Sequence, residues 1–284
     1  MVEEEVAQVA RLLAQAGVVV VLTGAGVSKE SGIPTFREPD GFWSQYSLED
    51  LATPQGFERD PAFVWQWYEW RREQIRQVSP NPGHLALAEL EGLVQARGGE
   101  FALITQNIDG LHQRAGSQRV VELHGNIHFA RPVGSPPDAR HLLVELPPPP
   151  LGDLPPHLSQ VEKRWKEMGR GDVLPPELAR LSDREKGSLL LRPHVVWFGE
   201  LLPQDAEREA YELSQRADLM LVVGTSAEVY PAALYPQISA ARGGRMVEVN
   251  PAATALTPHA HYSLRGSAAK VLPALVEELR GQER

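Results

Sequence analysis

The 284-residue chain contains no cysteine. That absence excludes a disulfide framework, a thiolate zinc site, an iron–sulfur cluster and a cysteine nucleophile together. Lysine is scarce as well: only five of the 28 basic residues are lysine, at positions 29, 163, 166, 186 and 270. The net charge is −9, so the chain lacks the basic footprint that general nucleic-acid binding requires. Long hydrophobic runs are missing too, and a run such as Val18 to Leu22 is far too short to span a bilayer. The opening MVEEEV is acidic where a secretory signal is basic, so a cytoplasmic protein with no membrane partner is expected. The arginine preference, with 24 prolines, fits a thermophile or a GC-rich genome equally well. Apolar residues are plentiful, at 42% of the chain, enough for a sizeable core at a length between one large domain and two small ones.

The apolar residues fall into an alternating pattern. Val2, Val6, Val9, Ala10 and Leu13 recur at helical spacing, with Gly17 as a stop. Short runs come next at 18–22, 101–105, 120–123, 219–223 and 246–249. They lack the polar alternation of half-exposed strands and suit a parallel sheet covered on both faces. Helical text lies at 84–96, 205–217, 231–242 and 267–280, which completes the pattern of an open α/β sheet. Two stretches interrupt it. Residues 38–80 are aromatic-rich helical text, and residues 127–193 hold twelve of the 24 prolines together with the helical string VEKRWKEM at 161–168. The expected organisation is a Rossmann-type domain from 1–37, 81–126 and 194–284, a helical insertion at 38–80, and a small proline-rich domain at 127–193.

Open α/β sheets bind ligands beyond the carboxyl ends of their strands, so the residues just after each run are informative. Leu22 is followed by Thr23-Gly24-Ala25-Gly26-Val27-Ser28, and Ile104 by Thr105-Gln106-Asn107-Ile108-Asp109. Leu123 is followed by His124, Val223 by Gly224-Thr225-Ser226, and Val249 by Asn250. Gly24 and Gly26 allow close approach to a pyrophosphate, although Lys29 stands where a full GxGxxG would place its last glycine. The 224–226 turn reads either as a second phosphate or adenosine contact or as a plain helix cap. Asn250 reads either as a ribose ligand or as an Asn-Pro turn starter. His124 reads either as a structural histidine or as a base working near neutral pH beside Asn107 and Asp109.

The strings GAGVSKESGIPTFR (24–37), TQNIDGLHQRAG (105–116), ELHGNI (122–127), VVWFGE (195–200), VVGTSAEVYPAA (222–233) and VEVN (247–250) resemble the sirtuin family of NAD-dependent protein-lysine deacylases in order and spacing. The resemblance implies a Rossmann-type NAD domain plus a small domain, with NAD and an acyl-lysine protein or peptide meeting in the cleft between them. It implies that Gly24, Ala25 and Gly26 line the pyrophosphate, and that Phe36 and Arg37 belong to a loop covering the nicotinamide side. Asn107, Ile108 and Asp109 would hold the nicotinamide ribose and carboxamide, with Gln106 on a ribose hydroxyl. Gly224, Thr225, Ser226 and Asn250 would hold the adenosine half, with Ala268 near adenine. Val196, Trp197, Phe198, Gly199 and Glu200, with Val229 and Tyr230, would clamp the substrate backbone as an added strand. His124 would be the general base that draws a proton from the ribose hydroxyls, while Asn107 and Asp109 complete the catalytic set.

Tyr68 and Arg71 stand three residues apart in helical text, so their Cβ atoms share one face roughly 5–6 Å apart. By default they read as a packed aromatic and a solvated cation. They also resemble the Tyr-x-x-Arg signature of the sirtuin branch that removes succinyl and malonyl groups, where phenol and guanidinium bind the acyl carboxylate. The family's four zinc cysteines are absent, and His128, His141 and His157 lack the spacing of a closed tetrahedral site, so no metal is expected. A structural zinc contributes roughly 10–16 kcal/mol in small domains, which packing and proline must here replace. Two other readings stay open: an NAD glycohydrolase or mono-ADP-ribosyltransferase, which would turn over NAD without acyl-peptide, and a non-catalytic NAD-sensing module, which would bind NAD without deacylating anything.

Overall fold

A computed structural model of the chain describes residues 2–34, 47–146 and 191–282. Phe36, Arg37, Pro147 to Pro150, the 161–168 string and His157 lie outside the described residues. The elements in chain order are α1 (Val2–Gln15), β1 (Val18–Thr23), α2 (Leu48–Leu51), α3 (Pro54–Arg59), α4 (Pro61–Gln77), α5 (Pro82–Ala96), β2 (Glu100–Thr105), α6 (Leu111–Arg114), β3 (Val120–Glu122) and β4 (Gly125–Pro132). After these come β5 (Val144–Glu145), β6 (Leu191–Val195), α7 (Gln204–Arg216), β7 (Leu219–Val223), α8 (Tyr235–Ala241), β8 (Arg245–Val249), β9 (Tyr262–Leu264) and α9 (Ala268–Gln282). They group into two compact units, residues 1–35, 79–123 and 206–284 in one and 36–78 and 124–205 in the other.

The first unit is built on a six-stranded parallel sheet in the order β3-β2-β1-β7-β8-β9. Its strands read as continuous apolar runs because both faces are covered. Val19, Val21, Phe101, Leu103, Leu219, Leu221, Val247 and Val249 point to one side, where α1, α5 and α9 supply Leu13, Leu90, Leu272 and Leu275. The residues of opposite parity, Val20, Leu22, Ala102, Ile104, Met220 and Val222, are equally buried. α8 packs against β7 and β8. This is the Rossmann-type α/β class expected from the sequence, and the strand order reverses between β1 and β7, where such sheets bind ligands.

Register makes the rim level. Thr23 pairs with Thr105 and Val223, Thr105 with Glu122, and Val223 with Val249. The next residues along each strand, Gly24, Gln106, Leu123, Gly224 and Asn250, therefore stand side by side. The β9 strand is the one member of the sheet that the hydrophobic pattern does not announce, since Tyr262 and Ser263 are only half-buried.

In the second unit an antiparallel sheet, β5-β4-β6, lies with α2, α3 and α4. The helical reading of 38–80 corresponds, in its described part, to three helices with conventional starts. Thr53 accepts from Gly56 N at 3.0 Å and Asp60 from Phe63 N at 2.9 Å, each followed by proline in the first turn. The strands β4 and β6 escape sequence reading because their buried positions include Arg131, Arg192 and His194. The Trp65 indole donates to Leu191 O at 3.0 Å, tying α4 to β6. A buried ion pair, Arg72 to Glu69 at 2.6 Å, lies on α4 itself. Among the described residues no group of three or more His, Asp or Glu is placed to hold a metal, and no helix is long and apolar enough to cross a membrane.

Candidate active site

The Gly24-Ala25-Gly26 turn leaves β1 against the turn that leaves β7. Gly26 N donates to Gly224 O at 2.8 Å, and Gly24 N to Val223 O at 3.1 Å. A Cβ on Gly26 would stand 2.7 Å from Gly224 O, and one on Gly24 2.8 Å from the Thr225 Cβ. Gly224 itself has φ +60°, a conformation that favours glycine, and a Cβ there would meet Val27 N at 2.5 Å. The glycines thus have a packing reason that needs no ligand. The amide left to a ligand is that of Ala25, the first of its short turn, which has no carbonyl within the turn to bond.

Beneath that turn lies a buried polar network that spacing alone does not disclose. Asn107 Nδ2 donates to Gly24 O and to Ser28 Oγ, both at 3.1 Å. Both amide hydrogens are thereby used, so the group Asn107 can offer a ligand is the Oδ1 acceptor. Ser28 Oγ donates to Asp109 Oδ2 at 2.7 Å, and Asp109 Oδ1 accepts from Leu111 N at 2.9 Å. His84 Nε2 stands 3.4 Å from Ser28 Oγ, while its Nδ1 accepts from Asn81 N at 3.3 Å in a capping box that opens α5. His112 Nε2 stands 3.0 Å from Thr23 Oγ1, which bonds Thr105 Oγ1 at 2.8 Å, and the two imidazoles lie 4.9 Å apart. Ser28, His84 and His112 carry no role in the sequence reading. The local Asn-Pro-x-His box at 81–84 is the one signal that marks His84 as fixed in place.

Burial pushes His84 down to about 4, against the opposing pull of Asp109 and Glu30, and pushes His112 well below the ordinary histidine value. Both rings are therefore neutral at pH 7. The unfolded chain, with histidine near 6.5, binds more protons than the folded one between about pH 6.5 and 4, so stability rises with pH there and is lost on acidification through that window. For His84 the full loss is roughly 3 kcal/mol. Unfolding midpoints measured from pH 7 to pH 4 should fall steeply, and H84Q should flatten that slope; parallel curves would contradict the buried neutral imidazole.

At the other side of the switch point, Gln106 Nε2 donates to Thr225 Oγ1 at 3.1 Å and Asn250 Nδ2 to Thr225 O at 2.9 Å. Thr225 is thus gripped from β2 and β8 together, and Ser226 is exposed beside it. Asn250 is held from behind. Glu248, buried on β8, accepts from Thr254 Oγ1, Thr257 Oγ1 (2.7 Å), Ser263 Oγ (3.2 Å) and Arg265 (2.9 Å). Arg265 also reaches Asn250 O at 3.4 Å. Ala268 is buried at the start of α9, where the space beside Gly83 is filled by its backbone. Val229 is half-buried and Tyr230 exposed. Ile108 is half-buried between Asn107 and Asp109.

In the second unit His124 precedes β4, half-buried, and its carbonyl accepts from Val196 N at 2.9 Å. Arg71 is not solvated: it is 5% exposed on α4, its guanidinium 5.2 Å from the Trp67 ring centroid. Tyr68, 3% exposed, accepts a hydrogen bond from Trp197 Nε1 at 2.9 Å. Burial raises the phenol to about 12, opposed by the Trp197 bond and the charges of Arg71 and Arg192, so it keeps its proton at neutral pH. Beyond the end of β6, Phe198 and Gly199 form a turn within the 196–200 segment. Phe198 N donates to Ala52 O at 2.9 Å, Gly199 adopts φ +86°, and Phe198 is exposed while the Trp197 side chain is buried. Glu200 accepts from Trp197 N at 2.8 Å and binds Arg192 with both oxygens at 2.5 and 2.9 Å.

Comparison with known proteins gives this arrangement its class. The signature of the Sir2 family matches residues 24–231. A curated relative, "NAD-dependent protein deacylase 2" of Pyrobaculum aerophilum, is 49% identical over 274 residues, covering 96% of this chain and 95% of its own. A crystal structure of a Sir2 homologue in complex with NAD superposes with a TM-score of 0.79 at 42% identity, over 98% of this chain and 94% of that one. A Sir2 protein solved with a deacetylated peptide and 3′-O-acetyl ADP-ribose superposes with a TM-score of 0.73 at 35% identity, covering 95% and 97%. The chain belongs to the Sir2 family, the sirtuins.

Proposed function

We propose that the protein removes acyl groups from lysine side chains of proteins in an NAD-dependent reaction, and that it prefers succinyl and malonyl over acetyl groups. One NAD and one water are consumed per acyl group, and the products are nicotinamide, O-acyl-ADP-ribose and free lysine. Family membership and the NAD-dependent relatives support the reaction class. The level rim of the sheet fits a dinucleotide, because it presents the Ala25 amide, the Asn107 Oδ1 acceptor and the Gln106–Thr225–Asn250 chain at the switch point. When bound, NAD would supply an electrophilic ribose carbon from which nicotinamide leaves, and its ADP-ribose part would take the acyl group.

The protein's own residues then divide the work. Asn107, with Ser28 and Asp109 fixing its amide, accepts from the nicotinamide carboxamide or its ribose. Asn250 and Thr225 hold the adenosine side. His124 takes a proton from a ribose hydroxyl. The observation that carries the acyl preference is the burial of Arg71 beside a protonated phenol. A guanidinium and a phenol O–H on one helix face are the donor types that together bind a carboxylate. A panel of one peptide bearing acetyl, malonyl, succinyl and longer acyl lysines, assayed with NAD, tests this. Succinyl and malonyl peptides should exceed the acetyl peptide in kcat/KM by about tenfold or more, the scale of one charge-assisted contact. Equal rates, or faster turnover of acetyl or long-chain peptides, would overturn the preference.

A further inference from the structure

A phenol hydroxyl lies near the plane of its ring, which leaves two directions in which it can donate. In Tyr68 one side of the oxygen is taken by the Trp197 indole N–H at 2.9 Å. The proton is thereby turned to the other side, and with a titration point near 12 it stays on the oxygen. The indole is itself held in place. The Arg192 guanidinium stacks on its face, 3.5 Å from the ring centroid, and Phe57 lies 5.2 Å away, tilted by 37°. Arg192 is fixed in turn by both oxygens of Glu200 and by Val195 O at 3.0 Å, and Glu200 also accepts the Trp197 backbone N–H. Apart from Phe57 and the phenol at its end, each link belongs to the 191–200 segment.

We infer that Trp197 and Arg192 are positioning residues for acyl selectivity: the Glu200–Arg192–Trp197 stack fixes the direction in which Tyr68 donates its proton. The inference rests on the proposed role of Tyr68 and Arg71 and deepens it. It also changes the part played by Trp197. Its side chain acts on the acyl end of the substrate through the phenol, whereas Phe198, exposed next to it, is left to face the peptide.

The test compares kcat/KM for succinyl- and acetyl-lysine versions of one peptide at saturating NAD. The enzymes are wild type, W197F and R192K, each also made in a Y68F background. R192K keeps the charge but loses the planar, two-pronged contact and the stack. The succinyl-to-acetyl ratio should fall about tenfold in W197F and severalfold in R192K, whatever loss is common to both substrates. In the Y68F background neither change should move the ratio further, because the group they orient is gone. The Trp197 indole N–H resonance of 15N-labelled protein should shift and exchange faster in Y68F. A merely structural role would lower both substrates together in either background, and that result overturns the inference. An unmoved indole resonance does so as well. If wild type itself shows no succinyl preference, the acyl reading fails and the inference with it; a clear wild-type preference that R192K and W197F leave intact defeats the inference alone.

Discussion

H124A is expected to lower the deacylation kcat by roughly 10²–10⁴-fold, the usual contribution of a positioned general base. The loss should be selective within the reaction. His124 is assigned to the proton transfer that comes after nicotinamide departure, so exchange of labelled nicotinamide into NAD in the presence of acyl-peptide should persist. The substitution also spares the backbone: the His124 carbonyl accepts from Val196 N, and alanine keeps that bond. Measuring exchange and deacylation on the same preparation separates the outcomes. Parallel loss of both would place His124 in NAD binding or in folding instead of in the base role.

The second large effect concerns Arg71. R71M should reduce kcat/KM on succinyl-lysine far more than on acetyl-lysine. Removing one partner of a buried, hydrogen-bonded charge pair costs about 2–5 kcal/mol, or roughly 30-fold to several-thousand-fold. Methionine preserves most of the apolar stem that packs near Trp67 while deleting the charge. The acetyl substrate carries no carboxylate, so its loss should be confined to whatever the local repacking costs. Equal losses on the two substrates would remove Arg71 from acyl recognition and leave it a structural cation.

The parallel sheet is legible in the sequence because its strands are buried on both faces and therefore spell uninterrupted apolar runs, and because turn glycines and polar residues come after each run at the same end. The helices of 48–77 are legible as a class from the aromatic-rich helical text of 38–80, whereas their Thr53 and Asp60 caps are findings of the structure. The second sheet is not. Arg131, Arg192 and His194 occupy buried strand positions, and the two arginines meet Glu200 only after folding, so local hydropathy misrepresents them.

The site shows the same division. Asn107, Asp109 and His124 stand just after apolar runs, where the sequence singles them out as candidates. Ser28, His84 and His112 converge from positions 28, 84 and 112 onto one network, and no local pattern encodes contacts between residues so far apart in the chain. Arg71 shows how burial decides a reading. On spacing alone it is a surface cation; at 5% exposure it is a charge held out of water.

The central claim, that the acyl group leaves lysine for ADP-ribose, is tested most directly by mass spectrometry of a single reaction containing wild-type protein, NAD and a succinyl-lysine peptide. Nicotinamide, unmodified-lysine peptide and O-succinyl-ADP-ribose should accumulate in equal amounts. Nicotinamide and ADP-ribose formed while the peptide keeps its succinyl group would contradict the account.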